Sequence, residues 1–67
     1  MSVARITEIK TSSTKSFDDA VRDGIARANE TLQNVKGGWV AEQEVIVDNG
    51  KIVEYRVLLK VTFILKS

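Results

Sequence analysis

Residues 48–65 read DNGKIVEYRVLLKVTFIL. Asn49-Gly50 suits a type I′ hairpin turn, which demands positive φ at both central positions. Beyond it, Val53, Tyr55, Val57, Leu59, Val61, Phe63 and Leu65 alternate strictly with Ile52, Glu54, Arg56, Leu58, Lys60, Thr62 and Ile64. A period of two is that of a β-strand, whose successive side chains point to opposite faces. The first set is wholly apolar and must be covered. The second is mixed, neither oily nor plainly solvated, and reads as an interface or a ligand wall. A strand from Trp39 to Asp48 precedes the turn. With a two-residue turn, Val47 pairs with Ile52, Gln43 with Arg56, Ala41 with Leu58 and Trp39 with Lys60, all on the mixed face. The same register puts Val40 and Ile46 on the apolar face together with Glu42 and Glu44. Two acids fit badly there, so either the sheet bends away from its cover or a bulge changes the facing.

The cover lies upstream. Ser16 is a good helix N-cap, and Asp19 sits three residues on, where a capping-box acid belongs. Asp18 and Asp19 also favour the positive end of the helix dipole. Phe17, Val21, Ile25, Ala28, Leu32 and Val35 then recur at spacings of three and four, one apolar stripe. Gly24 costs roughly 1 kcal/mol against alanine inside a helix, which points to close approach of a neighbouring element. Gly37-Gly38 is expected to end the helix by a left-handed turn. Upstream again, Val3 to Lys10 (VARITEIK) is rich in β-branched residues and predicts a first strand. Thr11 to Lys15 is expected to be a loop. The reading is an α+β fold of order βαββ, a three-stranded antiparallel sheet partly wrapped around one helix, with a single domain over residues 1–67.

Composition limits the chemistry. The 67 residues include no cysteine and no histidine, which removes disulfides, thiolate or imidazole metal sites, and Cys or His catalysis. The Ser/Thr cluster from Thr11 to Ser16 has no accompanying base and is read as loop and cap chemistry. No paired acid–base constellation and no glycine-rich phosphate loop follows a strand, so no enzyme is expected. Ten basic and nine acidic residues are interspersed, for a net charge of +1. No basic block suggests nucleic acid. No apolar run approaches the ~20 residues of a membrane span, and Met1 to Lys10 lacks the apolar core of a signal peptide. A cytoplasmic protein without nucleic-acid or membrane partners is expected.

Size then argues for self-association. A chain this short buries only about 60% of its unfolded surface. Scaffolds below roughly 70–80 residues usually need disulfides, a metal or oligomerisation. A helix of about 19 residues spans roughly 28 Å, whereas a strand of about 14 spans roughly 45 Å. One helix cannot cover the hairpin, and long apolar edges invite pairing. A homo-oligomer answers both problems.

Three stretches carry a family resemblance. TSSTKSFDDAV, GIARANETL (with Ile25-Ala26-Arg27-Ala28 and Thr31-Leu32) and YRVLLKVTFIL (with Val61 and Phe63) resemble the dodecins, as does the order of elements. The resemblance covers nearly the whole chain. It implies a hollow homododecamer that binds and stores a flavin, riboflavin or FMN, non-covalently between subunits. In the family a tryptophan at the start of the second strand stacks on the flavin ring, and a glutamine on the third strand binds its polar edge. Here the stacking position falls at Gly37 and the glutamine position at Arg56. The chain therefore resembles, over VAEQEVIVDNGKIVEYRV, relatives that lack the usual tryptophan. Trp39, two residues beyond Gly37, faces the same side about 7 Å away and is the shifted stacking candidate.

The expected ligand residues are thus Trp39, Arg56, Gln43 and Gly37. Each has a plainer reading beside the functional one. Trp39 can be an interface aromatic in a cation–π contact with Lys60. Arg56 can be an ion-pair partner of Glu54 or Glu44, or a donor to carbonyl or phosphate oxygens. No metal site is expected. Glu42, Glu44 and Asp48 are weak candidates for a divalent cation, because oxygen ligands suit calcium or magnesium. The alternative function is a structural or divalent-cation-associated shell that has lost flavin.

Overall fold

The structure is a computed structural model, and it describes residues 3–65. Four elements follow in the order β1 (Val3–Ser13), α1 (Phe17–Thr31), β2 (Val35–Asp48) and β3 (Lys51–Leu65). Both partners of β3 run antiparallel to it, giving the sheet order β1-β3-β2. This is the βαββ fold read from the sequence, with the long apolar strand at the centre.

The turn at residues 49–50 is as expected: Asn49 has φ 54° and Gly50 φ 78°, both left-handed as a type I′ turn requires. At the other end of the chain β1 is longer than its β-branched run. Thr11, Ser12 and Ser13 pair with Val57, Arg56 and Tyr55. These hydroxyl residues are strand, not loop, because β3 supplies ladder partners along its full length. The cap is as read: the Ser16 hydroxyl accepts from the Asp19 N–H at 3.0 Å. Ser13 Oγ in turn donates to the Asp19 carboxylate at 2.8 Å. The Thr11 hydroxyl donates to the Ala20 carbonyl at 2.8 Å, fastening β1 to the first turn of the helix.

The helix stops earlier than its apolar spacing suggests. Its C-cap is Leu32, and Asn34 adopts φ 63°. Asparagine tolerates the left-handed region, so Asn34 makes the reversal assigned above to Gly37-Gly38. Val35 then opposes Phe63 as the first residue of β2, and both glycines lie inside that strand. The best buried line of the helix is Ala20, Gly24 and Ala28, with Phe17, Val21, Ile25 and Leu32 half-buried around it. Small residues at a spacing of four let the helix sit low on Val57, Leu59 and Val61, the buried centre of β3. Gly24 is the closest approach. A Cβ built there would lie 2.6 Å from Leu59 Cδ1 and 3.0 Å from Thr11 Cγ2. Phe17 closes this core at the hairpin side, edge-on to Tyr55 with ring centroids 5.2 Å apart.

Register is where sequence and structure part. Val47 opposes Ile52 and Trp39 opposes Lys60 as expected, but Gln43 opposes Val57 and Glu44 opposes Arg56. Ile46 pairs with Glu54, which leaves Val53 extra on β3; Val40 pairs with Leu59 and Glu42 with Leu58, which leaves Ala41 extra on β2. Two bulges therefore bracket a segment slipped by one residue, and a slip of one exchanges the faces. Glu42, Glu44 and Ile46 turn to the mixed face. Gln43 and Val45 turn to the helix side. The bulge reading of the misplaced acids is the correct one.

The helix leaves the far hairpin bare. Fifteen residues of helix reach roughly 22 Å, while the molecule is 51 Å long and only 19 by 13 Å across. Val45, Val47, Ile52 and Val53 are all exposed at the hairpin end, as are Val3, Ile6 and Leu65 at the other.

Candidate functional site

The sheet face away from the helix carries the expected site residues that share a side. Direct pairing lays them in rows across three strands. Gly37, Thr62 and Ile6 form one row, and Trp39, Lys60 and Glu8 the next. Glu42, Leu58 and Lys10 follow, then Glu44, Arg56 and Ser12. Side chains in one row are neighbours, and adjacent rows are about 7 Å apart. Gly37, Trp39 and Arg56 thus share a face. Gln43 does not: opposite Val57, it projects to the helix side, away from Trp39 and Arg56.

Trp39 is 47% exposed, a large aromatic left half in solvent. Lys60 reaches across to it, its Nζ 5.7 Å from the ring centroid. The same ammonium lies 4.0 Å from Glu8 Oε1. Gly37 leaves its place in the row open: a Cβ built there meets nothing within 4 Å. Gly38, facing the helix, is different. Its Cβ would come within 3.1 Å of the Lys60 carbonyl oxygen and 3.5 Å of Ile25 Cδ1, so glycine there permits close packing of β2 on the core.

Arg56 is engaged within its own strand. Its Nε donates to Glu54 Oε1 at 3.2 Å. That bond, with a smaller contribution from the Ser12 hydroxyl, holds the Glu54 carboxyl below the usual glutamate range. Lys10 Nζ stands 4.0 Å from Glu44 Oε1. Lys10, Glu42, Glu44, Arg56 and Leu58 line an open hollow of about 510 Å³ on this face. Its floor is apolar at Leu58 and its walls are charged with alternating sign. Between the helix and β2 lies a more apolar hollow of about 320 Å³, lined by Val21, Ile25, Val35, Gly38 and Val40 and reaching Gly37 and Trp39 along the strand edge.

The weak metal candidates do not converge. Glu42 and Glu44 stand two residues apart on the outer face, and Asp48 follows on the same side of β2 but four residues beyond Glu44, at the hairpin turn opposite Lys51. Among the described residues no group of three or more acidic side chains is placed to hold an ion. No described helix is long and apolar enough to cross a membrane. Sequence reasoning missed the row partners Glu8 and Lys10, which β1 delivers to this face. Their signal was the alternation of Ile6, Glu8 and Lys10 against Thr7 and Ile9.

Comparison with known proteins gives one answer in three ways. The family model described as Dodecin matches residues 3–66. The protein named calcium dodecin in Mycobacterium tuberculosis is 30% identical over 63 residues, which are 94% of this chain and 89% of that one. The dodecin from Streptomyces davaonensis superposes with a TM-score of 0.93 at 35% identity, over 98% of this chain and 97% of that one. A crystal structure of the Mycobacterium tuberculosis calcium dodecin, described as having a novel calcium-binding site, gives a TM-score of 0.81 at 31% identity, over 96% of this chain and 91% of that one.

Proposed function

The chain belongs to the dodecin family, and from that premise we propose that it is one subunit of a closed homo-oligomer that binds and stores a planar aromatic ligand, a flavin, between subunits. The observation that carries the ligand reading is Trp39, half exposed on the outer face in line with an open glycine position. A flavin is a large flat π-system with a donor–acceptor rim, and stacking on an indole suits it. Trp39 supplies the platform. Gly37 supplies the clearance beside it, where a side chain would compete for the ligand's space. Arg56, whose Nε is taken by Glu54, supplies its remaining guanidinium donors to the ring's carbonyl oxygens. Gln43, opposite Val57 on the helix side, is left out of this platform.

The oligomer reading rests on the uncovered hairpin and on a core of five buried apolar residues among the described residues. Both leave the single chain short of buried surface. Assembly covers the exposed valines and isoleucines at each end. A face that offers stacking and ion pairs supports a binding and storage role.

Trp39 is the only tryptophan, so its emission reports the site directly. Riboflavin or FMN titrated into the intact particle is expected to quench it with saturable stoichiometry at micromolar ligand. Trp39→Ala, followed through flavin fluorescence, is expected to abolish the tight phase. An intact particle that quenches neither flavin nor tryptophan would defeat the flavin reading.

The relative named calcium dodecin, together with Glu42 and Glu44 side by side on the outer face, favours a second reading. In it, carboxylates from several copies meet around a divalent cation. Calcium titration by calorimetry distinguishes it: saturable heat that Glu42→Gln/Glu44→Gln removes supports the cation, and no heat excludes it.

A further inference from the structure

The row Glu8–Lys60–Trp39 joins an acid, a cation and the stacking aromatic. Lys60 is the cation on the outer face that addresses the aromatic ring. Arg56 is turned to Glu54 and Lys10 to Glu44. Its ammonium has two loose partners, the indole at 5.7 Å and Glu8 at 4.0 Å. A flat ligand that stacks on the face of Trp39 addressed by Lys60 must share or take the place of that ammonium. A neutral ligand removes one of the cation's partners and returns only uncharged acceptors, which hold an ammonium more weakly than an anion does. An aromatic that carries an anionic group returns a partner, since the displaced ammonium is still within a side chain's reach of the ring.

We infer that Lys60 is a specificity-determining residue of the Trp39 platform, selecting planar aromatics that carry a phosphate or carboxylate over their neutral counterparts. The inference rests on the proposed stacking site. Glu8 positions the ammonium from the β1 side and keeps it from leaving the row. Leu58, the next outward-facing residue of β3, offers the ligand an apolar floor between Lys60 and Arg56. The charged group is placed at the Lys60 end, because Arg56 is already satisfied by Glu54.

FMN and riboflavin share one ring and differ by a phosphate, so their affinity ratio isolates the effect. In the assembled wild-type protein FMN is expected to bind roughly three- to tenfold tighter than riboflavin at low salt, the scale of a single exposed cation contact. Added salt should narrow the gap. Lys60→Met keeps the length of the side chain and removes its charge. It is expected to bring the ratio close to one, with riboflavin affinity unchanged or improved. Lys51→Met removes the same charge at the hairpin tip and is expected to leave the ratio as in wild type. Native mass spectrometry on each variant verifies that the particle is intact, and Lys60→Gln replaces Lys60→Met if it is not. A ratio that Lys60→Met and Lys60→Gln leave unchanged, or that Lys51→Met lowers equally, would overturn the assignment while the stacking site stands. Absence of binding of either flavin to wild type and variants alike would overturn the site and this inference with it.

Discussion

Replacing Gly24 by alanine asks whether the helix is seated as closely as the geometry says. In an exposed helix interior the change would stabilise by about 1 kcal/mol, because alanine loses less backbone freedom on folding. Here the added methyl would stand 2.6 Å from Leu59 Cδ1, 3.0 Å from Thr11 Cγ2 and 3.1 Å from Thr11 Oγ1. Neither neighbour yields freely. Leu59 is only 1% exposed and packed among Val57 and Val61, and the Thr11 hydroxyl is tied to the Ala20 carbonyl at 2.8 Å. Overpacking by one methyl in such a core costs about 1–3 kcal/mol. Set against the propensity gain, the net expectation is a loss of about 1 kcal/mol. In a chain of this size that lowers the melting temperature by roughly 4–8 °C. The assay is urea unfolding of wild type and Gly24→Ala at one fixed protomer concentration, since assembly makes apparent stability concentration-dependent. Shortening the obstructing side chain supplies the control: in a Leu59→Val background the Gly24→Ala loss should shrink, a positive coupling in the double-mutant cycle. A Gly24→Ala protein more stable than wild type by about 1 kcal/mol would refute the close seating. So would an equal loss in both backgrounds.

Three further outcomes follow from local geometry. Ser16→Ala removes the acceptor of the Asp19 N–H and is expected to cost about 1 kcal/mol in the same urea assay, the usual worth of an N-cap. Leu59→Ala, at the largest fully buried side chain of the core, is expected to cost about 2–5 kcal/mol, enough to threaten folding of so small a chain. The third concerns Glu54, whose carboxyl is held low first by the Arg56 hydrogen bond and then by Ser12. A depressed carboxylate contributes above its unfolded value, and the contribution disappears as pH falls through the lowered folded value. In a carboxyl NMR titration Glu54 should therefore ionise below ordinary glutamates. Arg56→Met should raise it towards them, and an unchanged midpoint would mean that the ion pair is not formed in solution.

The fold was legible in the sequence wherever one residue type answers one physical demand. Asn49-Gly50 fixed the turn, because positive φ at two successive residues admits few other pairs. Ser16 and Asp19 fixed the start of the helix. The alternation from Val53 to Leu65 fixed the central strand, and Gly24 foretold a close contact. The end of the helix was harder to see, because Leu32 and Val35 continue its three-four spacing although Val35 packs as the first residue of β2. Asn34 carried the true stop signal, and its left-handed φ is visible only in the fold. The bulges at Val53 and Ala41 left no mark of composition, and with them went the pairing of Gln43 with Arg56. Only the discomfort of Glu42 and Glu44 on an apolar face betrayed the slip. At the site, Trp39 opposite Lys60 was read correctly because the second bulge restores the register before that row. Glu8 and Lys10 were not anticipated, since alternation puts them on one face of β1 but β1's place beside β3 follows from topology.

Assembly and ligand binding are joined in one site between subunits, and native mass spectrometry of the protein with FMN tests both in one spectrum. The expected spectrum shows a multi-subunit particle, a dodecamer if it follows the assembly that the family resemblance implies, carrying a saturable whole number of flavins that Trp39→Ala removes. A monomer at micromolar concentration, or an intact particle that takes up no flavin, would contradict it.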